Sequence, residues 1–470
     1  MLDFMRPDAK PAASPETGIA MRDLKPLLDD LTRTYGVPGA ALAVWADGQL
    51  REAAAGVVNL ETRVPVTSDA LFQIGSITKL YTAALCLQLV EEGKLSLDEP
   101  VRRWLPDFAL ADENVAARLT LRHLLTHQSG IEGDFFKDAG RGEDRIGRLV
   151  GMLGALQQVH PLDAMFSYCN TGFVIAGRLI EVAGGEPWDK AIRRRIAKAI
   201  DTPAFSTLPE QAMRYLTAIG HLGAPGSLAV TPIAYLAQSN APAGSTPMAR
   251  ARDVVSFARM LMDGGTAPNG TRILSEASAC AMREMNVACP KHMNIDAIGL
   301  ATFLWDWDGD GAYDTFGHDG STIGQAAWLR YHPASGTVVA LLTNGGNGKG
   351  LAQDVLSEIF SETAGLKPPL PPAATPGFRF DPRSYEGCYV NIMERIEMTA
   401  EGGKLIATTT PSPSAAVISG TKRVPIEPVD AELFIGVTPG FTEATTYHFV
   451  NRGGERYLYS GVRDHRQVEA

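Results

Sequence analysis

Ser76 and Lys79 stand three residues apart in Ser76-Ile77-Thr78-Lys79, where an apolar helical run begins. At that spacing both side chains share one face of a helix. A serine hydroxyl is a poor nucleophile at neutral pH and needs an adjacent base. A lysine amine can be that base once it is buried, because desolvation disfavours the ammonium. A serine at a helix N-terminus also meets unpaired backbone N–H groups, which favour a developing anion. The chemistry on offer is attack by an activated hydroxyl. The four residues alone read more readily as a solvated helix start with a surface lysine, since so short a pattern recurs by chance.

Two more clusters carry reactive groups. Tyr168-Cys169-Asn170 offers a phenol that can act as acid or base, and an amide that can hold Lys79 and a substrate carbonyl. By itself it also reads as a helix start with Asn170 as N-cap and Tyr168 in the core. Gly317-His318-Asp319-Gly320-Ser321 supplies a histidine that titrates near neutral pH. Gly320 there lets backbone approach a ligand closely. Its plain alternative is a glycine-rich strand entry.

Together, in this order and spacing, the three clusters resemble the penicillin-recognising serine hydrolases, whose pattern is S-x-x-K, Y-x-N, then K-T-G or H-x-G. Class C β-lactamases, DD-carboxypeptidases, D-aminopeptidases and family VIII carboxylesterases belong to that superfamily. LSLDEPVRRWLP, LTLRHLLTHQSGI, APAGSTPMARARDVVSFARML and LLTNGG are similar to it as well, so the resemblance runs from about residue 25 to 365. It implies Ser76 as nucleophile, Lys79 as its partner and Tyr168 as general base and acid. It implies substrate binding by Asn170, His318, Gly320 and Ser321, with an oxyanion hole made by the N–H groups of Ser76 and Ser321. No cofactor is implied. His318 stands where β-lactamases have lysine, which weakens attraction for a substrate carboxylate above neutral pH and leans toward the H-x-G peptidases.

Other polar motifs are set aside. Asp306-Trp307-Asp308-Gly309-Asp310-Gly311 opens like a calcium loop, but its twelfth position is Gly317 rather than glutamate, so a polar hairpin turn is expected. His123 and His127 have helical metal-ligand spacing without a third ligand, and no metal is expected. The glycines of Gly345–Gly350 miss the phosphate-loop spacing and read as a post-strand turn. Cys169 reads as a small buried residue.

These residues need a frame. Asp47-Gly48 marks a hairpin between apolar runs that follow Pro38-Gly39. A helix is expected from Ser76 to about Gly93, with Leu80, Ala83, Ala84, Leu87 and Val90 recurring at three- and four-residue steps. Residues 115–200 read as mostly helical, and 252–263 as an amphipathic helix stopped by Gly264-Gly265. QAAWLRYHPASGTVVALLTN reads as two strands joined at Pro333–Gly336, with a helix from about Leu351 to Thr363. Helical material inserted between early and late strands predicts one α/β domain: a transpeptidase-like antiparallel sheet built from both chain ends, with a helical lobe.

After the Pro-rich linker 367–377, eight short runs follow: GCYVNI, RIEMTA, KLIATTT, AAVISG, RVPIEPV, ELFIGVT, TYHFVN and RYLYSG. They predict a C-terminal antiparallel β-barrel over 378–470, of lipocalin type by the family's precedent. The expected division is a loose arm over 1–20, a hydrolase domain over 21–366, the linker, and the barrel. A linker that short and stiff keeps the barrel near the hydrolase, in cis or from a neighbouring subunit of a homo-oligomer, where it would narrow access to Ser76.

Composition bounds the partners. The 470 residues carry a formal net charge of −10, which argues against nucleic acid or an anionic membrane surface. No apolar run is long enough to span a membrane. Five scattered cysteines without C-x-x-C, and a start lacking an apolar segment after its first basic residue, lead us to expect the cytoplasm. The expected activity is acyl transfer through Ser76, as a peptidase or amidase on short or D-amino-acid-containing peptides. A family VIII-type carboxylesterase with weak β-lactamase activity is one alternative. A catalytically silent β-lactam-binding or sensor module is the other.

Overall fold

The computed structural model describes residues 23–224, 226–291, 293, 295–413, 415–416, 420–437 and 444–469. The arm expected over 1–20 lies outside them. The main sheet is antiparallel and has eight strands. From one edge it runs Gln49–Gly56, Gly39–Ala46, Thr337–Thr343, Ala326–His332, Thr315–Ser321, Phe303–Trp305, Ala297–Ile298 and Val287–Ala288. The first hairpin turns at Asp47 and Gly48, both at positive φ (50° and 74°), as its Asp-Gly signal requires. Gly39–Ala46 then pairs with Thr337–Thr343, so the two ends of the domain do close one sheet.

Its central strands are buried on both faces, which explains their nearly unbroken apolar runs. Ala41 and Ala43 join Val338, Ala340 and Leu342 in the larger core, under the helices Thr78–Glu91, Asn170–Gly184 and Ala251–Met262. Ala40, Leu42 and Val44 join Val339 and Leu341 in a second core, covered by the helices Leu24–Thr34 and Gly348–Ala364. The last helix starts three residues before the expected Leu351, because the Asn347 side chain caps it by accepting from the Gly350 N–H. Asp306–Asp314 forms the polar turn between two antiparallel strands. Asp306 accepts from Gly309 and Gly311 N–H groups, and Asp314 from those of Trp307 and Asp308.

Residues 367–377 form neither helix nor strand. Beyond them eight antiparallel strands close into a barrel, as expected, but one of its members differs. Ala415 and Ala416 of the run AAVISG lie in a turn, and 417–419 are outside the described residues. The eighth strand is instead Arg463–Val468, whose sequence RDHRQV shows no apolar alternation. The barrel interior is filled by Tyr389, Ile396, Leu405, Phe434, Phe449 and Leu458. Its Tyr457 and Tyr459 point away from that interior and join the second core of the hydrolase domain, beside Phe166 and Tyr168. No described helix is long and apolar enough to cross a membrane.

Candidate active site

Ser76 lies in a single 3-10 turn, Gly75–Ile77, that leads into the helix Thr78–Glu91. This helix is buried around almost its whole circumference, so Lys79 is carried into the core rather than to the surface. Two backbone segments hold the Ser76 turn from either side. A Cβ on Gly320 would lie 2.0 Å from the Ile74 carbonyl oxygen, and one on Gly244 would lie 2.2 Å from that of Gly75. The close approach that Gly320 permits is therefore to the chain's own Ser76 turn, which brings Gly320-Ser321 beside the serine.

Lys79 is 0% exposed, and its Nζ has three neighbours: Ser76 Oγ at 2.9 Å, Asn170 Oδ1 at 2.5 Å and the Ala243 carbonyl at 2.7 Å. Burial lowers its pKa well below the usual lysine value. The Arg463 guanidinium lowers it further, while Asp134 and Cys169 oppose. Asn170 is the first residue of its helix, and the cap is Cys169, whose sulfur accepts from the Gly172 N–H. Freed from capping, the Asn170 amide bridges Lys79 and Asp134, donating from Nδ2 to Asp134 Oδ1 at 2.5 Å.

Tyr168 is buried, its ring 4.8 Å from Lys79 Nζ and stacked on His127 with centroids 4.4 Å apart. Burial raises its pKa, and the adjoining Ser76 hydroxyl and Arg463 draw it part of the way back. His318 closes the opposite wall. It is fully buried, stacked on Phe303 at 3.9 Å, with Nδ1 against the Asp319 carbonyl. Burial, then the Lys79 charge, push its pKa well below the usual histidine value. The titration expected of His318 near neutral pH is moved down, because burial disfavours the imidazolium.

Ser76, Tyr168, Asn170, His318, Gly320 and Ser321 all line one cleft of about 1660 Å³, and Lys79 lies behind it. All seven residues singled out from the sequence thus meet. Its mouth has walls from both domains: Phe135 and Tyr235 on the hydrolase side, Ile392, Met393 and Arg463 from the barrel. Three participants had no usable sequence signal. Asp134 sits in the plain stretch GIEGDFF. Arg463 opens the unrecognised strand, and its Nε and Nη2 both donate to Asp134. His127 had only a metal-ligand spacing, yet its Nδ1 accepts from the Cys169 N–H and its ring supports Tyr168. His123 is used elsewhere, its Nδ1 accepting from the Thr120 N–H.

Residues 24–361 match the family model described as Beta-lactamase. "Penicillin-binding protein 4" of Amycolatopsis lactamdurans is 45% identical over 354 residues, covering 73% of this chain and 91% of its own length. The crystal structure of SurE covers 95% of this chain and 98% of its own at a TM-score of 0.76 and 27% identity, and another structure holds SurE with D-Leu. D-amino acid amidase from Ochrobactrum anthropi SV3 covers 72% of this chain and 96% of its own at a TM-score of 0.59 and 25% identity.

Proposed function

The chain belongs to the Beta-lactamase family of serine hydrolases, and within it we propose an amidase or peptidase that forms an acyl-enzyme on Ser76 and acts on short or D-amino-acid-containing peptides. The observation that carries this reading is the set of three neighbours around Lys79 Nζ. A neutral amine has two N–H donors and one lone pair. As an ammonium Lys79 can donate to all three; once it loses a proton, the carbonyls of Asn170 and Ala243 can keep two donors and the lone pair can face the Ser76 hydroxyl. Burial favours that neutral form.

Ser76 Oγ attacks the substrate carbonyl carbon as its proton passes to the Lys79 amine. The N–H groups of Ser76 and Ser321 receive the oxyanion, a contribution of about 3 kcal/mol to the transition state. Tyr168, whose phenol is kept protonated by burial, relays the proton from Lys79 to the leaving amine. Water then attacks the acyl-enzyme with the same groups in reverse. No cofactor or metal enters these steps. Amide substrates are favoured over esters because the site holds an acid placed for an amine, which leaves only once protonated. The D-Leu in one SurE structure and the activity named for the Ochrobactrum amidase support D-configured substrates. Five unpaired cysteines fit the cytoplasm.

The test is Ser76→Ala against paired L- and D-aminoacyl amides, esters and short peptides. The wild type turns over D-amides faster than L-amides, and the variant loses about 10⁴-fold or more. An activated phosphonate labels Ser76 and nothing else. Label on another serine with activity kept would sink the reading. Ester turnover without amide turnover would move the protein to the carboxylesterases, and acylation without release to the silent binders.

A further inference from the structure

Arg463 enters the hydrolase site from the barrel, at the first residue of the last strand. Its fork grips Asp134, which is 5% exposed. Asp134 takes the Asn170 amide nitrogen, and the Asn170 amide oxygen takes Lys79. The order of these bonds is set by chemistry. An ionised carboxylate only accepts, so Asp134 must face the NH₂ end of Asn170 and turn its oxygen to Lys79. A buried carboxylate in turn needs a paired cation to stay ionised.

We propose that Arg463 is a positioning residue for the Ser76–Lys79 pair, acting through Asp134 and Asn170, so that the barrel completes the hydrolase site rather than merely flanking it. Arg463 acts in two ways. It fixes the Asn170 amide, and so directs the Lys79 lone pair at Ser76. It also adds a positive charge where six titratable groups converge around the amine: His127, Asp134, Tyr168, Cys169, His318 and Arg463 itself. Of these, Arg463 favours the neutral amine and Asp134 the ammonium.

This inference rests on the acyl-transfer reading, and its experiment separates the two. The second-order rate of Ser76 labelling by an activated phosphonate is followed against pH in the full chain. Arg463→Gln lowers the rate by about ten- to a hundredfold and moves the ascending limb to higher pH. Asp134→Asn also lowers the rate, because an amide at 134 no longer dictates how Asn170 points, but it moves the limb to lower pH. Arg463→Lys restores the limb and only part of the rate, since a single ammonium lacks the fork. Tyr459→Phe removes a barrel-to-hydrolase hydrogen bond that carries no charge, and leaves the limb in place. Limbs of R463Q and D134N that coincide with the wild type, or that move together with Y459F, overturn the positioning role while labelling at Ser76 preserves the acyl-transfer reading. A wild type that never labels at Ser76 overturns both.

Discussion

The backbone N–H of Tyr168 donates to the Val462 carbonyl at 3.0 Å, joining the Y-x-N motif main chain to main chain with the turn before the last barrel strand. The neighbouring residues repeat the connection. The Ser167 hydroxyl donates to Asp464, and the Tyr459 hydroxyl to the Phe166 carbonyl. The segment that presents Tyr168 is thus held by the barrel as much as by its own domain.

Truncation after Leu366 should therefore do more than open the cleft. It strips partners from buried polar groups along 166–168, each costing about 1–3 kcal/mol, and exposes the surface covered by Tyr457 and Tyr459. The expected result is loss of Ser76 labelling with the remaining fold loosened in circular dichroism. The narrowing of the cleft is tested separately by Met393→Ala, which trims a wall and leaves these bonds intact. Long peptides should gain about two- to tenfold relative to short ones. An unchanged ratio would mean that the barrel wall never meets substrate.

Activity should rise with pH along a limb set below the usual lysine range. Raising pH removes the Lys79 proton, and burial has already lowered the pH at which that happens. The apparent pKa belongs to the coupled Lys79–Tyr168 pair. Tyr168→Phe should slow amide turnover by about 10²–10⁴-fold and phosphonate labelling much less, because an activated leaving group departs without a proton. A flat profile from about pH 5 to 9 with chemistry rate-limiting contradicts the assignment.

Glu132 lies between the domains, accepting from the Ile392 N–H at 2.8 Å, and burial raises its pKa to about 7 from 4.5. Between those two values the folded state binds the proton that the unfolded state has lost, so this group's contribution to stability falls as pH rises. Lys79 works in the opposite sense, so the measurement is a difference between variants. Glu132→Gln should match the wild type near pH 4 and exceed it at pH 8 by on the order of 2–3 kcal/mol. Denaturant melts at the two pH values check this. Equal curves at both would show that Glu132 ionises freely.

Penicillins should acylate Ser76 slowly. The wall that would meet their carboxylate holds His318, whose burial disfavours the imidazolium, rather than a permanent cation. His318→Lys should raise the acylation rate constant by about tenfold, a gain limited by the nearby Arg330 guanidinium. Efficient turnover of a penicillin by the wild type would show that carboxylate recognition does not depend on this position.

Ser76, Lys79, Tyr168, Asn170 and His318 were singled out by the resemblance of three local clusters taken in order, since each cluster alone also read as a plain helix start or strand entry. Residue type and spacing of three or fewer say which groups a turn can present, and the family resemblance says which of them are used. Strands buried on one or both faces were legible for a similar reason, since burial writes itself into the chain with the period of the backbone. Arg463–Val468 escaped because five of its six residues are polar or charged and it shows no alternation in hydropathy. Only Asp464 and His465 in it are buried, and both are polar. The sequence by itself thus determined the chemistry on offer, the two-ended sheet and a barrel of short strands. The tertiary structure alone decided that Arg463 meets Asp134, that the Asn170 and Ala243 carbonyls flank Lys79 Nζ beside Ser76, and that His318 is buried. Those outcomes depend on which polar groups from distant segments are desolvated together, and pairing of that kind leaves no periodic trace in either segment.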